Sequence, residues 1–484
     1  MSESTGGERH NMALRRTSFT QGRERLTSSI DGPHPMSGAR IIGAAAVVAV
    51  GVGVLVFALA GPPRAVDGTV TSAPALRTPD MPPAADGPAA HAHAGFIYGR
   101  ITRDDGGTHE GRLRWGGDQE AFWGDYFDGF KPGNPWQAYA PGEPGRLEIF
   151  GFEIGGTRPD PGRPFMARFG DIQRVDAHFR RVDVTLKSGT VVSLDRFAAG
   201  DIDDGVRVWD AARSVVNLDT RVIRTIQFMP APPLADAPGR LHGVVLTRQG
   251  EFTGFIEWNQ RDSVRTDALD GRAAGAEVRL RYDTMRSIAK QSPDSVLVTM
   301  RDGRGTVLSG TSDAGRGHRG IHVQDRRYGR VLVPWESFER VDFSPDGSGP
   351  AYGSFPPGRP LAGSVLTRDG RRLSGRLVYD FDESETTDTF DVSDGDVSYN
   401  IPFGLLASIV PRVREGQGAQ PARATLRSGE ELHLQRSGDL GARHVGLLIF
   451  VADRDRPEYV SWSDVEQIDF DAAPAASSPP LRRP

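Results

Sequence analysis

The chain has 484 residues, 59 of them Gly and 35 Pro, a formal net charge of −5 and no cysteine. Its length calls for several cores, and so much Gly and Pro without a three-residue period suits short strands joined by turns. The charge offers no global field to nucleic acid, so no nucleic-acid partner is expected. The missing thiols exclude disulfides, iron–sulfur clusters, thiolate metal sites and cysteine nucleophiles.

Residues 1–40 are rich in Ser, Arg and Gly and lack periodicity, which reads as a disordered tail. Residues 41–60, IIGAAAVVAVGVGVLVFALA, carry no charge. At about 1.5 Å per residue, a helix of this length spans the ~30 Å hydrocarbon core of a bilayer. Arg9, Arg15, Arg16, Arg23, Arg25 and Arg40 precede it, whereas only Arg64 and Arg77 follow closely. The positive-inside rule therefore predicts a single span with a cytoplasmic N-terminus and a periplasmic or otherwise extracytoplasmic body. Ala58-Leu59-Ala60 has the form of a signal-peptidase site, but the long apolar run and long preceding tail favour a retained anchor. Ala45, Ala49 and Gly53 form a small-residue stripe against which a second helix can pack, unless they are simply the small residues common in such spans. Residues 61–95, rich in Pro, Ala and Thr, read as a stiff linker.

An internal repeat follows. GRITRDDGGTHEGRLRW from Gly99, GVVLTRQGEFTGFIEW from Gly243 and GSVLTRDGRRLSGRLVY from Gly363 each read as two strands around a Gly turn, ending in Trp115, Trp258 or Tyr379. Each is followed by an Asp-x-[Phe/Leu]-Asp stretch, at Asp125/Asp128, Asp267/Asp270 and Asp388/Asp391. A second hairpin comes next, from Val184, Val298 and Ala424. The units close alike, with Trp335-x-x-Phe338-x-x-Val341 matching Trp462-x-x-Val465-x-x-Ile468. The prediction is an all-β body of three tandem units of paired small β-barrel or hairpin modules at 96–230, 241–345 and 361–470. A disordered tail is expected at 471–484. The V-x-L-x-x-G-x-x-x-x-G and I-x-x-I patterning over about 96–470 resembles SH3-like and Sm-like small barrels, including the PRC-barrel type. That resemblance implies a binding or assembly module. It carries no RNA binding, because the nucleotide-contacting residues of Sm proteins cannot be mapped onto this chain.

No His-Glu-x-x-His, Gly-x-Ser-x-Gly, Walker A or dinucleotide fingerprint occurs in a fitting context, so no catalytic residue and no cofactor is assigned. The densest acidic stretch, Tyr379 to Asp396, contains Asp380, Asp382, Asp388 and Asp391 as candidate oxygen ligands for a hard cation. It departs from an EF-hand, with Glu385 where Gly is needed and Asp391 where Glu is, and the second unit has Arg261 and Arg265 in the matching stretch. A solvated acidic loop is the expectation, and no metal is assigned. The recurrent Asp residues read as turn caps. Asp313 with His318, and Asp439 with His444, read as loop-ordering hydrogen-bonding groups. Trp123, Tyr126, Phe130 and Trp136 lie in and just before an insertion absent from the other units. They either fill an enlarged core or offer a surface to a glycan or a protein. The function expected is that of a non-catalytic, membrane-anchored scaffold, an accessory subunit stabilising a larger membrane or envelope complex. The alternative is a module binding envelope polysaccharide or peptidoglycan.

Overall fold

The recurrent Gly turn folds as a hairpin in every repeat, pairing Tyr98–Arg103 with Thr108–Trp115, His242–Thr247 with Gly250–Glu257, and Ala362–Thr367 with Arg372–Tyr379. Within each hairpin two glycines face one another: Gly99 and Gly111, Gly243 and Gly254, Gly363 and Gly375. A Cβ at Gly111, Gly254 or Gly375 would sit 2.0, 2.1 or 2.1 Å from a carbonyl oxygen of the next strand. The sheet therefore coils too tightly at this point for any side chain, which is why the Gly spacing repeats.

This computed structural model describes residues 93–471 apart from 117, 140–146, 150–151, 155–162, 198–204, 211, 235–237, 345–348, 412–421, 436 and 442. The predicted tail, membrane span and most of the linker, with Ala45, Ala49 and Gly53, lie outside the described residues, as does 472–484. Among the described residues no helix is long and apolar enough to cross a membrane.

The body is all-β. Counting each unit's strands one to ten in chain order, and leaving aside a short hairpin at Leu147–Ile149 and Phe152–Ile154, the three main sheets share one order. It runs nine-eight-two-one-ten-five-six-seven. Irregularities recur too. Strand one shifts register between Thr102 and Arg103, Leu246 and Thr247, and Leu366 and Thr367. Strand five shifts between Ile172 and Arg174, Met285 and Ser287, and Leu406 and Ser408. Bulges at equivalent positions set the same local twist in all three units.

The expectation of paired small β-barrel or hairpin modules is corrected as to closure: the hairpins form, but the sheets are open, and among the described residues none closes on itself. Closure would require strand seven to meet strand nine. In the second unit strand nine, Gly329–Val333, instead pairs with strand four of the third unit, Val397–Pro402, placing Arg330 opposite Asn400 and Leu332 opposite Ser398. The second unit's edge is thus capped by its neighbour, and its ten strands with strands three and four of the third unit form one twelve-stranded sheet, while the third unit's other eight strands form a sheet of their own.

Burial interlocks the units further. One apolar cluster runs through the second and third units, from Leu241 to Phe470. The first unit's cluster takes in Tyr352 and Phe355 from the segment joining the other two. Tyr352 Oη donates to the Ile172 carbonyl at 2.9 Å, and Lys187 Nζ to the Tyr352 carbonyl at 2.6 Å. Phe355 lies so close over Gly170 that a Cβ there would be 2.6 Å from the ring.

Strands three and four form an extra hairpin, turned by Ala274 and Gly275 in the second unit and by Gly395 and Asp396 in the third. In the first unit the same strands, Tyr126–Lys131 and Arg163–Arg168, are separated by residues 132–162. The insertion predicted from sequence therefore sits at the tip of this hairpin, which reaches the third unit.

Candidate functional site

Every repeat builds the same loop after its second strand. The chain turns tightly so that Trp115 bridges to Gln119, Trp258 to Asp262 and Tyr379 to Glu383. The turn needs left-handed backbone, adopted by Asn259 and Gln260 at φ 54° and 52°, and by Asp380 and Phe381 at 46° and 57°. The repeated aspartate then closes the loop. Asp125 Oδ2 accepts from Glu120 and Ala121 N–H at 2.7 Å, Asp267 Oδ2 from Ser263 and Val264 N–H at 3.1 Å, and Asp388 Oδ2 from Ser384 and Glu385 N–H at 2.7 and 2.9 Å. This is the turn chemistry expected of these residues.

The Asp–His recurrence orders the loop beside it. Asp313 Oδ2 accepts from Asp270 N–H at 3.2 Å, and Asp439 Oδ2 from Asp391 N–H at 2.6 Å. His318 Nδ1 accepts from Gly320 N–H and His444 Nδ1 from Gly446 N–H, each at 3.0 Å. The rings stack on Trp335 and Trp462, with centroids 4.6 and 3.9 Å apart. Burial pushes both histidines down to about 3, so they are neutral packing groups at ordinary pH. The two members of each recurrence order the loop separately, and no hydrogen bond joins Asp313 to His318.

In the third unit this loop meets the first unit's insertion. Lys131 Nζ pairs with Asp382, Arg163 lies 3.5 Å from Asp380, and Asn134 Nδ2 donates to the Phe381 carbonyl at 2.9 Å. Between them lies a cavity of about 150 Å3 walled by Lys131 and Arg163 on one side and Asp380, Asp382, Glu383, Asp388, Asp391 and Asp439 on the other. All four acids singled out from sequence line it. Two more, Glu383 and Asp439, join them.

Such crowding shows in the proton affinities. Burial pushes Asp380 and Asp388 up to about 6 and Asp439 up to about 8. Burial, with Asp439 nearby, raises Glu383 well above the ordinary carboxylate range, and burial raises Asp391. Glu383 Oε2 is sealed from solvent and has no hydrogen-bond partner. The acids are spread over the wall, however. Among the described residues no three His, Asp or Glu side chains converge as a metal site would require.

The candidate aromatics do not form one platform. Tyr126 is 2% exposed and lies under Arg330. Trp123 is half-buried, its Nε1 3.5 Å from the Gln324 carbonyl, with Arg168 over its ring. Both belong to the junction of the first two units, where buried Arg240 donates to the Trp123 carbonyl and Gln324 to the Gly124 carbonyl, each at 2.8 Å. Trp136 packs edge-on to Phe450 at 5.8 Å and beneath Arg376, on the third unit. Phe130, at 37%, is the most exposed of the four.

Lys131 and Arg163 are the members of this site that motif reading missed, whereas Glu383 belongs to the acidic stretch without being singled out and Asp439 reads from sequence only as a loop-ordering group. The recurrence of Asp313 at Asp439 was the one available signal. No family model, curated protein or solved structure matches the chain.

Proposed function

We propose that this protein is a non-catalytic scaffold, anchored by the apolar segment 41–60 with its β body outside the membrane, and an accessory subunit of a larger membrane complex. One observation carries the reading: Phe179 and Phe197 are 83% and 76% exposed on the first unit. They are neighbours, because Arg196 N–H donates to the Arg180 carbonyl between them at 3.2 Å. Two large aromatics standing in water among Arg180, Arg181 and Arg196 have the composition of an interface centre. The interlocked units behind them supply a rigid support.

The alternative, a module for envelope polysaccharide or peptidoglycan, draws on Trp123, Tyr126, Phe130 and Trp136. It has less support, because three of the four are engaged in contacts between units. The test is to solubilise native membranes in mild detergent, then run gel filtration with mass spectrometry of the peak. Stoichiometric integral membrane subunits are expected with the wild type and not with Phe179→Ser/Phe197→Ser. Elution alone would sink the proposal. Retention on peptidoglycan that is lost in Trp136→Ala would move the alternative to the front.

A further inference from the structure

The second unit shows how the acidic loop is neutralised from within. Arg261 Nη2 lies 3.3 Å from both oxygens of Asp313, and Asn259 Nδ2 donates to Asp313 Oδ1 at 2.8 Å. At the aligned positions of the third unit stand Asp382 and Asp380, so both neutralising donors have become acids. Lys131 and Arg163 engage those two. Among the described residues Glu383, Asp388, Asp391 and Asp439 on the wall make no ion pair, although Lys131 acts on Glu383 and Asp388, and Arg330 on Asp391, at longer range. Asp388 is held by backbone N–H groups, and Asp391 Oδ1 accepts from Asn400 Nδ2 at 2.7 Å. Glu383 Oε2 accepts from nothing, although a buried carboxylate oxygen without a partner is costly.

We infer that this cavity is a binding site for a short aliphatic diammonium ion, with Glu383 and Asp439 as its ion-pair partners. Three features select that class. Six carboxyl groups against two cationic side chains call for positive charge. A volume of about 150 Å3 holds a ligand of roughly six heavy atoms, the size of 1,4-diaminobutane. The acids are distributed along the wall and do not converge on a point, which suits two separated ammonium groups and not a bare metal ion. The raised proton affinities of Asp439 and Glu383 fit as well. Without a ligand the cluster holds protons, and a bound dication displaces them. The inference is independent of the membrane-complex reading.

Titration calorimetry of 1,4-diaminobutane into the full chain in detergent tests it. Saturable one-site binding is expected at pH 8. At pH 6 it should be about tenfold weaker, because protons must leave as the dication enters. Glu383→Gln keeps the shape of the protonated side chain, so folding should persist while affinity falls tenfold or more. Asp439→Asn gives an independent second reading of the same loss. The absence of saturable heat up to about 10 mM diamine, or undiminished binding by both variants, overturns the inference. So does calcium alone competing at equal affinity, which would make this a divalent-metal site.

Discussion

Loop 258–270 of the second unit and loop 379–391 of the third align residue for residue, and both fold around the same aspartate cap and the same stacked histidine. They differ in where the neutralising charge comes from. Arg261 holds Asp313 from within its own loop. The third unit has Asp382 at that position and receives Lys131 from a strand 251 residues earlier in the chain. A self-contained loop needs no charge from another unit. A loop in charge deficit becomes a socket, and here it fastens the first unit onto the third. Divergence between repeats has converted a local fold element into an assembly contact.

The largest test makes the second unit resemble the third. Arg261→Asp leaves Asp313, only 2% exposed at its side chain, beside a new acid with no cation to replace the arginine. Losing one partner of a buried pair costs about 3–5 kcal/mol. The half-exposed arginine reduces this to about 2–3 kcal/mol, read as a lower urea midpoint. A midpoint unchanged within error would show that the loop does not depend on its internal arginine. The converse, Asp382→Arg, supplies the third unit with the cation it lacks. Lys131→Met should then cost little in that background, whereas alone it should cost about 1–2 kcal/mol. A double-mutant cycle showing no coupling between residues 131 and 382 would break the socket description.

Next in size is the pH dependence. Burial raises Asp380 and Asp388 from the ordinary 3.8 to about 6, and Asp439 from 3.8 to about 8. For a group raised on folding, the favourable contribution is full below the unfolded value and is lost as pH climbs through the folded one. The third unit should therefore weaken between about pH 4 and pH 8, while Asp439→Asn should flatten that slope. Urea midpoints at pH 5.5 and 8.5 decide it. A wild-type midpoint that rises across this range in step with the variant's would contradict the assignment.

Much of this fold was legible because its signals are local. The Gly spacing, the Thr-Arg strands and the capping aspartates recur within short windows, so three units could be read from the chain and their turn chemistry named. Closure was not legible. Whether strand nine meets its own strand seven or a neighbour's strand four depends on contacts such as Arg330 opposite Asn400, which no window of sequence contains. The site divided along the same line. Asp380, Asp382, Asp388 and Asp391 stand close together in the sequence and were grouped as candidates. Lys131, Arg163 and Asp439 are distant in sequence and arrive only through packing. The alignment of Arg261 with Asp382 was visible, yet it read as evidence for a solvated loop. Its meaning as a charge deficit needed the burial that only the assembled body provides.

The smallest expected effect asks how much of the fastening is charge and how much is apolar contact. Trp136 stands on a short turn, Pro135–Tyr139, whose Asn134 Oδ1 accepts from Trp136 N–H at 2.9 Å. Its ring meets Phe450 edge-on at 5.8 Å with the Arg376 guanidinium over its face. An edge-to-face pair contributes about 0.5–1.5 kcal/mol and a partly exposed cation–π contact about 0.5–1. Trp136→Ala should therefore cost about 1 kcal/mol, and that cost should barely change between pH 5.5 and 8.5, because the ring meets Phe450 and Arg376 and none of the cavity's acids. If the loss of Trp136 instead abolished the pH dependence, the aromatic contact would be what seats Lys131 and Arg163 over the acids. The ionic socket would then be a consequence of apolar docking and not its cause.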